Sequence, residues 1–323
     1  MTIIKYRAAL REAILEEMES DPLVFCMGEG IAEKGGSYKV TDQLFKHFGL
    51  DRIIDTPISE ASFVGMAVGA ALLGSKPIVE ILFIDFSCMA MDQIVNQAAK
   101  MRFMSGGQSH VPMVVRTQGG VGNGLAGQHS QSLEAFYYHI PGLKVVMPST
   151  PYDAKGLLKS SIKDEDPVIF IEHKRLYMTE GEVPDEEYYI PLGQADIKHE
   201  GDDITIVTYS LMVLECLKAA QSLASQGVSV EVIDLRTLVP LDIDCVIKSV
   251  RKTGRLVIVH EACKRGGVGG DISARVMEEA FDDLDAPIIR VAGKDTTIPF
   301  NLDLESQCIP SVEDIVAVVQ SIL

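Results

Sequence analysis

Apolar positions at Tyr6, Ala9, Leu10, Ala13, Ile14 and Met18 recur at helical spacing and predict an amphipathic helix over residues 5–19. A short apolar strand, Val24-Phe25-Cys26-Met27, comes next. It leads through Gly28-Glu29-Gly30 and Gly35-Gly36-Ser37 to a helix around 41–48. From there strand and helix alternate. Strands are predicted at Ile53-Ile54, at 78–82, 113–116, 144–147 and 168–171, with helices over 60–73, 88–104, 131–138 and 151–163. The strands are mostly continuous apolar runs rather than alternating ones, as in a parallel sheet buried on both faces. Repeated β-α units imply a doubly wound α/β sheet with its site at the carboxyl ends of the strands.

Between Thr179 and Gly201 the composition turns acidic and proline-punctuated and reads as a linker. A second β-α series follows, with strands at 204–208, 228–234, 256–260 and 288–291 and helices near 211–225, 242–252, 268–282 and 312–322. The expected division is therefore two doubly wound α/β domains, 1–187 and 203–323, joined at 188–202.

One stretch stands apart. Asp55-Thr56-Pro57-Ile58-Ser59-Glu60 runs from a strand through a proline turn into a helix with no charge from Ala61 to Leu73. Ser59 or Thr56 is a candidate cap for the orphan first-turn amides. Glu60 is then either a first-turn acid that favours the helix dipole or a carboxyl at the edge of a dry site. In the second case its pKa rises and it handles a proton near neutrality. The uncharged helix behind it is expected to be buried on most sides.

Other candidates lie at strand ends. Phe86, in Phe83-Ile84-Asp85-Phe86, is core or a face for a flat ring. Gln118 to Gln131 is a glycine-rich loop that contains His129. It is either a phosphate cradle or a plain connection in which His129 caps a helix. Arg116 suits a substrate carboxylate or an ion pair. Gly266-Gly267-Val268-Gly269-Gly270 lacks a Walker lysine, so close backbone packing is expected there.

Composition narrows the field. A net charge of −17 argues against nucleic acid and against an anionic membrane. The longest uncharged run, Ala61 to Ser75, is too short and glycine-rich to span a bilayer. The six cysteines are scattered, with no C-x-x-C, and the first residues lack a signal-peptide core, so a cytoplasmic location is expected.

Several runs carry a resemblance along essentially the whole chain. They are Asp55-Thr-Pro-Ile-Ser-Glu60, Asp92 to Lys100, Ser105-Gly-Gly107, Gly127-Gln-His-Ser-Gln131, Pro141 to Val146, Pro151 to Gly156, Asp234 to Asp242 and Ile298-Pro-Phe300. The chain resembles the beta subunit of thiamine-diphosphate-dependent 2-oxo acid dehydrogenases. The resemblance implies a pyrimidine-binding domain followed by a transketolase C-terminal-like domain. It implies that Glu60 shares a proton with the aminopyrimidine nitrogen of thiamine diphosphate, with Ile58, Leu82 and Phe86 packing around that ring. It implies that His129 acts on substrate and in acyl transfer to lipoamide. By the same resemblance Met113, Ser161, Ile162, Asp164 and Asp166 bind potassium through backbone carbonyls. The G-D-G and later Asn that hold magnesium in this family are missing from the chain. The cofactor's diphosphate and magnesium are then expected on an alpha subunit, in an α2β2 assembly. The acidic second domain suits a basic segment of a dihydrolipoyl acyltransferase core. Pyruvate, acetoin and branched-chain 2-oxo acids all remain open as substrates. A split transketolase C-terminal subunit, transferring ketol units, is the alternative.

Overall fold

A computed structural model describes all residues from Met1 to Leu323. By contacts the chain forms two units, Met1–Gly119 with Phe136–Leu192, and Gly120–Ala135 with Gly193–Leu323. Residues 120–135, expected in the first domain from their place after a strand, group with the second unit instead.

The first unit opens with strand β1 (Thr2–Lys5) and helix α1 (Tyr6–Ser20), then β2 (Val24–Gly28), α2 (Leu44–Phe48), β3 (Ile53–Asp55), α3 (Glu60–Leu72) and β4 (Lys76–Ile81). After α4 (Ala99–Met104) come β5 (Val114–Gly119), α5 (Glu134–Tyr138), β6 (Lys144–Val146), α6 (Pro151–Lys163), β7 (Val168–His173) and β8 (Glu180–Val183). The central strands are parallel in the order β6-β7-β5-β4-β2-β3. Every residue of β5 and β7 is buried, the polar Arg116 and Glu172 as well as the apolar ones, as in a parallel sheet covered on both faces. The sheet starts at β2 and steps to β3 on one side and β4 on the other. Its topological switch point therefore lies between β2 and β4, where open α/β sheets bind ligands.

Helix α1 buries Tyr6, Ala9, Leu10, Ala13, Ile14 and Met18, the face its spacing predicts. It packs on α6, where Lys155 and Lys159 reach Glu16 at 2.6 Å each. The helix expected over 88–104 is broken into a 3-10 turn at Ile84–Ala90, a π-helical turn at Gln93–Ala98 and α4. The burial expected for α3 is corrected. Phe63, Val64, Ala67, Val68 and Ala71 face inward, but Met66 is 65% and Leu73 90% exposed. Absence of charge marks an apolar face, not an enclosed one.

The second unit contains β9 (Asp196–His199), β10 (Ile204–Thr208), α7 (Leu211–Ala224), β11 (Val230–Asp234), the short β12 (Thr237–Val239) and α8 (Ile243–Thr253). Then come β13 (Leu256–Cys263), α9 (Gly269–Glu279), β14 (Ile289–Gly293), α10 (Leu302–Ser306) and α11 (Val312–Ser321). Its sheet runs β14-β13-β10-β11-β9, all parallel except the edge strand β9. Here the switch point lies between β10 and β13. The linker reading of 179–201 is corrected in part, because it holds two strands. Residues 180–183 pair antiparallel with β1, and 196–199 pair with β11. Both are short and charged, as edge strands usually are.

Candidate active site

The first unit gathers three loops at the carboxyl edge of its sheet. Gly28-Glu29-Gly30 follows β2, Asp55 to Glu60 ends β3 and opens α3, and Leu82 to Phe86 follows β4. Two bonds stitch the first pair together. The Ala32 amide donates to Asp55 Oδ1 at 2.8 Å and the Thr56 amide to the Gly28 carbonyl at 2.9 Å. The 84–90 turn packs on α3, so Phe86 and Glu60 belong to one neighbourhood.

Glu60 is buried at the first position of α3, 8% exposed. The capping expectation does not hold. Ser59 occupies the N-cap with φ −164° and ψ 66°, and its hydroxyl donates backward to the Pro57 carbonyl at 3.3 Å. Thr56 Oγ1 is buried with no partner. Glu29, half-buried on the neighbouring loop, has its pKa raised by burial and then by the Glu60 charge. Glu29 therefore holds its proton to higher pH than an ordinary glutamate.

Phe86 is half-buried, its ring 6.3 Å from that of Phe83 and tilted by 58°. Phe83 sits in left-handed backbone, φ 65°, which disfavours any L side chain, and its amide donates to Gln118 Oε1 at 3.1 Å. Behind it Tyr38 stacks on Tyr177 at 4.5 Å. Leu82 is half-buried and Ile58 is 82% exposed, at the rim. A carboxyl, an aromatic ring and apolar residues on neighbouring loops suit a flat, weakly basic ring that exchanges a proton.

Arg116 resolves as an ion pair. Buried in β5, its guanidinium donates to Glu80 at 2.7 Å and bidentately to Glu172 at 2.7 and 2.8 Å. Tyr177 adds its hydroxyl to Glu172 at 2.6 Å. Burial works against the Arg116 charge, but the Glu172 and Glu80 carboxylates more than offset it and hold the guanidinium protonated.

Met113, Ser161, Ile162, Asp164 and Asp166 meet at the opposite, amino-terminal edge of this sheet. The Met113 carbonyl accepts from Val168 N at 2.9 Å and the Val111 amide donates to the Glu165 carbonyl at 3.2 Å. Cations already face the carboxylates, with Lys144 on Asp164 at 2.6 Å and Arg102 on Asp166 at 2.6 Å.

His129 lies in the second unit, half-buried in an irregular segment rather than at a helix start, since α5 begins at Glu134. The glycine-rich loop around it is no open phosphate cradle. Gly122 N and Gly124 N donate to Glu305 at 3.0 and 3.4 Å, and Val121 N donates to Glu261 at 2.6 Å. At its far end Glu134 accepts from the Tyr209 hydroxyl at 2.8 Å. Burial pushes the Glu134 carboxyl up to about 7, and Tyr209 only partly counters it. The Tyr209 ring lies parallel to His260, whose pKa burial lowers to about 4. A Cβ on Gly267 or Gly269 would fall 2.6 or 2.8 Å from the His260 ring, which bears out the expected backbone packing there. A cavity of about 420 Å³ remains beside the loop, lined in part by Ser130, Ser132, Glu261, Lys294 and Ile309.

Glu29, Glu134, Glu261 and Glu305 were not singled out from sequence. Glu29 carries a usable sign, its place just past a strand's carboxyl end. The other three carry none, because only long-range contacts give them a role.

Residues 3–180 match the transketolase pyrimidine binding domain and residues 193–315 the transketolase C-terminal domain. The pyruvate dehydrogenase E1 component subunit beta of Rhizobium meliloti is 48% identical, over 100% of this chain and 70% of the relative. The acetoin:2,6-dichlorophenolindophenol oxidoreductase subunit beta of Cupriavidus necator is 50% identical, over 97% and 96%. The 2-oxoisovalerate dehydrogenase subunit beta of Bacillus subtilis is 48% identical, over 91% and 90%. Among solved structures, a split gene transketolase described as an inactive beta4 tetramer superposes with TM-score 0.81 over 98% of this chain and 97% of that one. At 22% identity that likeness shows the fold alone.

Proposed function

We propose, from the premise that this chain belongs to the beta subunits of 2-oxo acid and acetoin dehydrogenase E1 components, that it supplies the aminopyrimidine half of a thiamine diphosphate site. The observation that carries this is Glu60, buried at the switch point with a second acid, Glu29, that responds to its charge. Glu60 would hold a proton against the ring nitrogen, Phe86 and Leu82 would pack on the ring, and Ile58 would close its rim. A thiamine diphosphate held there would supply the electron sink for cleaving a bond next to a carbonyl. The chain's own share is to orient the ring, to keep water from it and to move one proton at Glu60.

Beta-subunit relatives imply an alpha-subunit partner, which in this reading holds the diphosphate and magnesium in an α2β2 assembly. Exposed Met66, Leu73, Met89, Phe103 and Met104 on the first unit fit a face that a partner covers. His129 acts on substrate and in passing the acyl group to lipoamide. A potassium ion is held by the carbonyls of Met113, Ser161, Ile162, Asp164 and Asp166, supported by the convergence of their segments. The net charge of −17 supports docking of a basic acyltransferase segment, which rising salt should weaken. Six free cysteines fit a reducing cytoplasm.

The test mixes the chain with its alpha partner, thiamine diphosphate and magnesium, and follows an artificial electron acceptor. Turnover is expected with pyruvate, acetoin or a branched 2-oxo acid, and only when both subunits are present. Turnover of ketose phosphates alone would move the chain to the split transketolases.

A further inference from the structure

The segment from Gly120 to Leu133 contains no helix or strand. Asn123 and Ala126 adopt left-handed backbone, with φ 69° and 60°. Such a segment keeps one shape only when outside groups hold it. It closes on itself through Gly120 N to the Gln131 carbonyl at 2.9 Å and through His129 N to the Ala126 carbonyl at 3.3 Å. Carboxylates distant in sequence anchor it as well. Glu305, 4% exposed, accepts from Gly122 N through Oε1 at 3.0 Å and from Gly124 N through Oε2 at 3.4 Å. Glu261 Oε1 accepts from Val121 N at 2.6 Å and from Ser132 Oγ at 3.3 Å. Successive amides curled around an anion form the nest that phosphate loops use, and here the anion is the chain's own. Asn301 caps α10 through Leu304 N at 3.0 Å and so fixes the helix that carries Glu305. The fit leaves no slack, since a Cβ on Gly124 would lie 2.7 Å from the Phe300 carbonyl and one on Gly127 2.3 Å from Thr297 Cγ2.

We propose that Glu305, assisted by Glu261, is a positioning residue for His129: an internal carboxylate fills the glycine-rich amide cradle and fixes the loop that presents the imidazole. The proposal rests on the reading above in which His129 serves acyl transfer. Glu305 touches neither substrate nor cofactor and acts through the backbone of the loop.

The test compares Glu305→Ala, Glu305→Gln and His129→Ala in two measurements. Hydrogen exchange is read on the full-length chain, and steady-state kinetics on the complex assembled with its alpha partner. Glu305→Ala should speed exchange in 120–131 about tenfold or more, the loss expected for a charge-assisted clamp, without change in β13. It should lower kcat by about tenfold with KM within about twofold, as misplacing a reacting group does. Glu305→Gln, which keeps one acceptor, should recover part of both. Wild-type kcat in Glu305→Ala beside an inactive His129→Ala would overturn the positioning role, as would faster exchange spread through the whole second unit. Full activity in His129→Ala would overturn the catalytic reading on which the proposal stands. Should Glu305→Ala fail to fold, wild-type exchange and kcat in Glu305→Gln overturn the proposal.

Discussion

The two units carry the same kind of crevice and use it in opposite ways. In each, a parallel sheet starts in the middle, steps to both sides and leaves a gap at the carboxyl ends of two neighbouring strands. In the first unit the loops at that edge carry Glu29, Glu60 and Phe86, the proposed cofactor residues. In the second unit the ends of β10 and β13, through Tyr209 and Glu261, grip the chain's own loop. One fold thus provides the socket proposed for a cofactor and a socket for itself. The buried charges differ accordingly. Around Arg116 each buried acid meets the guanidinium. Under the His129 loop, Glu134 has a phenol for a partner and His260 has a backbone carbonyl.

The largest effect expected from breaking this contrast is Arg116→Met, which strands Glu80 and Glu172 in the core. Removing one side of a buried pair costs about 3–5 kcal/mol. Denaturant unfolding should show that loss, and an unchanged midpoint would mean the ion cluster is not structural. Glu60→Gln should lower turnover of the assembled complex by a factor of about a hundred or more and leave the unfolding midpoint in place. Unchanged turnover would remove Glu60 from the mechanism.

Glu134 and His260 predict a pH signature. A carboxyl raised from 4.5 to about 7 is neutral in the folded chain, so its contribution is full below pH 4.5 and is lost as pH rises to 7. The loss amounts to roughly 3 kcal/mol. His260, lowered from 6.5 to about 4, contributes above pH 6.5 and loses that as pH falls toward 4. The two oppose each other between pH 4.5 and 6.5, and wild-type stability should be nearly flat there. Glu134→Gln should expose the His260 slope, with stability falling as pH drops, measured as unfolding midpoints across that window. A flat profile in the variant would show that Glu134 does not titrate there. Smallest of all, Ser59→Ala should change stability by less than about 0.5 kcal/mol, because the hydroxyl caps nothing. A loss near 1 kcal/mol would restore it as a cap.

Much of the first crevice was legible in the sequence and little of the second. The proline turn before an uncharged helix marks Glu60 because both signs are local. Both doubly wound sheets follow from apolar runs at regular spacing. The strands at 180–183 and 196–199 were hidden because edge strands carry the charge and proline that also mark linkers. The exposed face of α3 was hidden because a helix without charges reads the same whether the chain's own core or a partner covers it. The loop around His129 resembles a phosphate cradle in sequence for a sound reason. It is an anion cradle, and only the fold shows which anion fills it.

The bond between Gly122 and Glu305 spans 183 positions of the chain. On the ribosome the glycine loop emerges long before the residue that sets it, and contacts so distant in sequence form late and slowly. Glu305 must be made before His129 is fixed in place, so a nascent chain can complete the first unit's sheet and still lack a set His129 loop. In this protein a stretch synthesised later decides when an earlier one becomes competent.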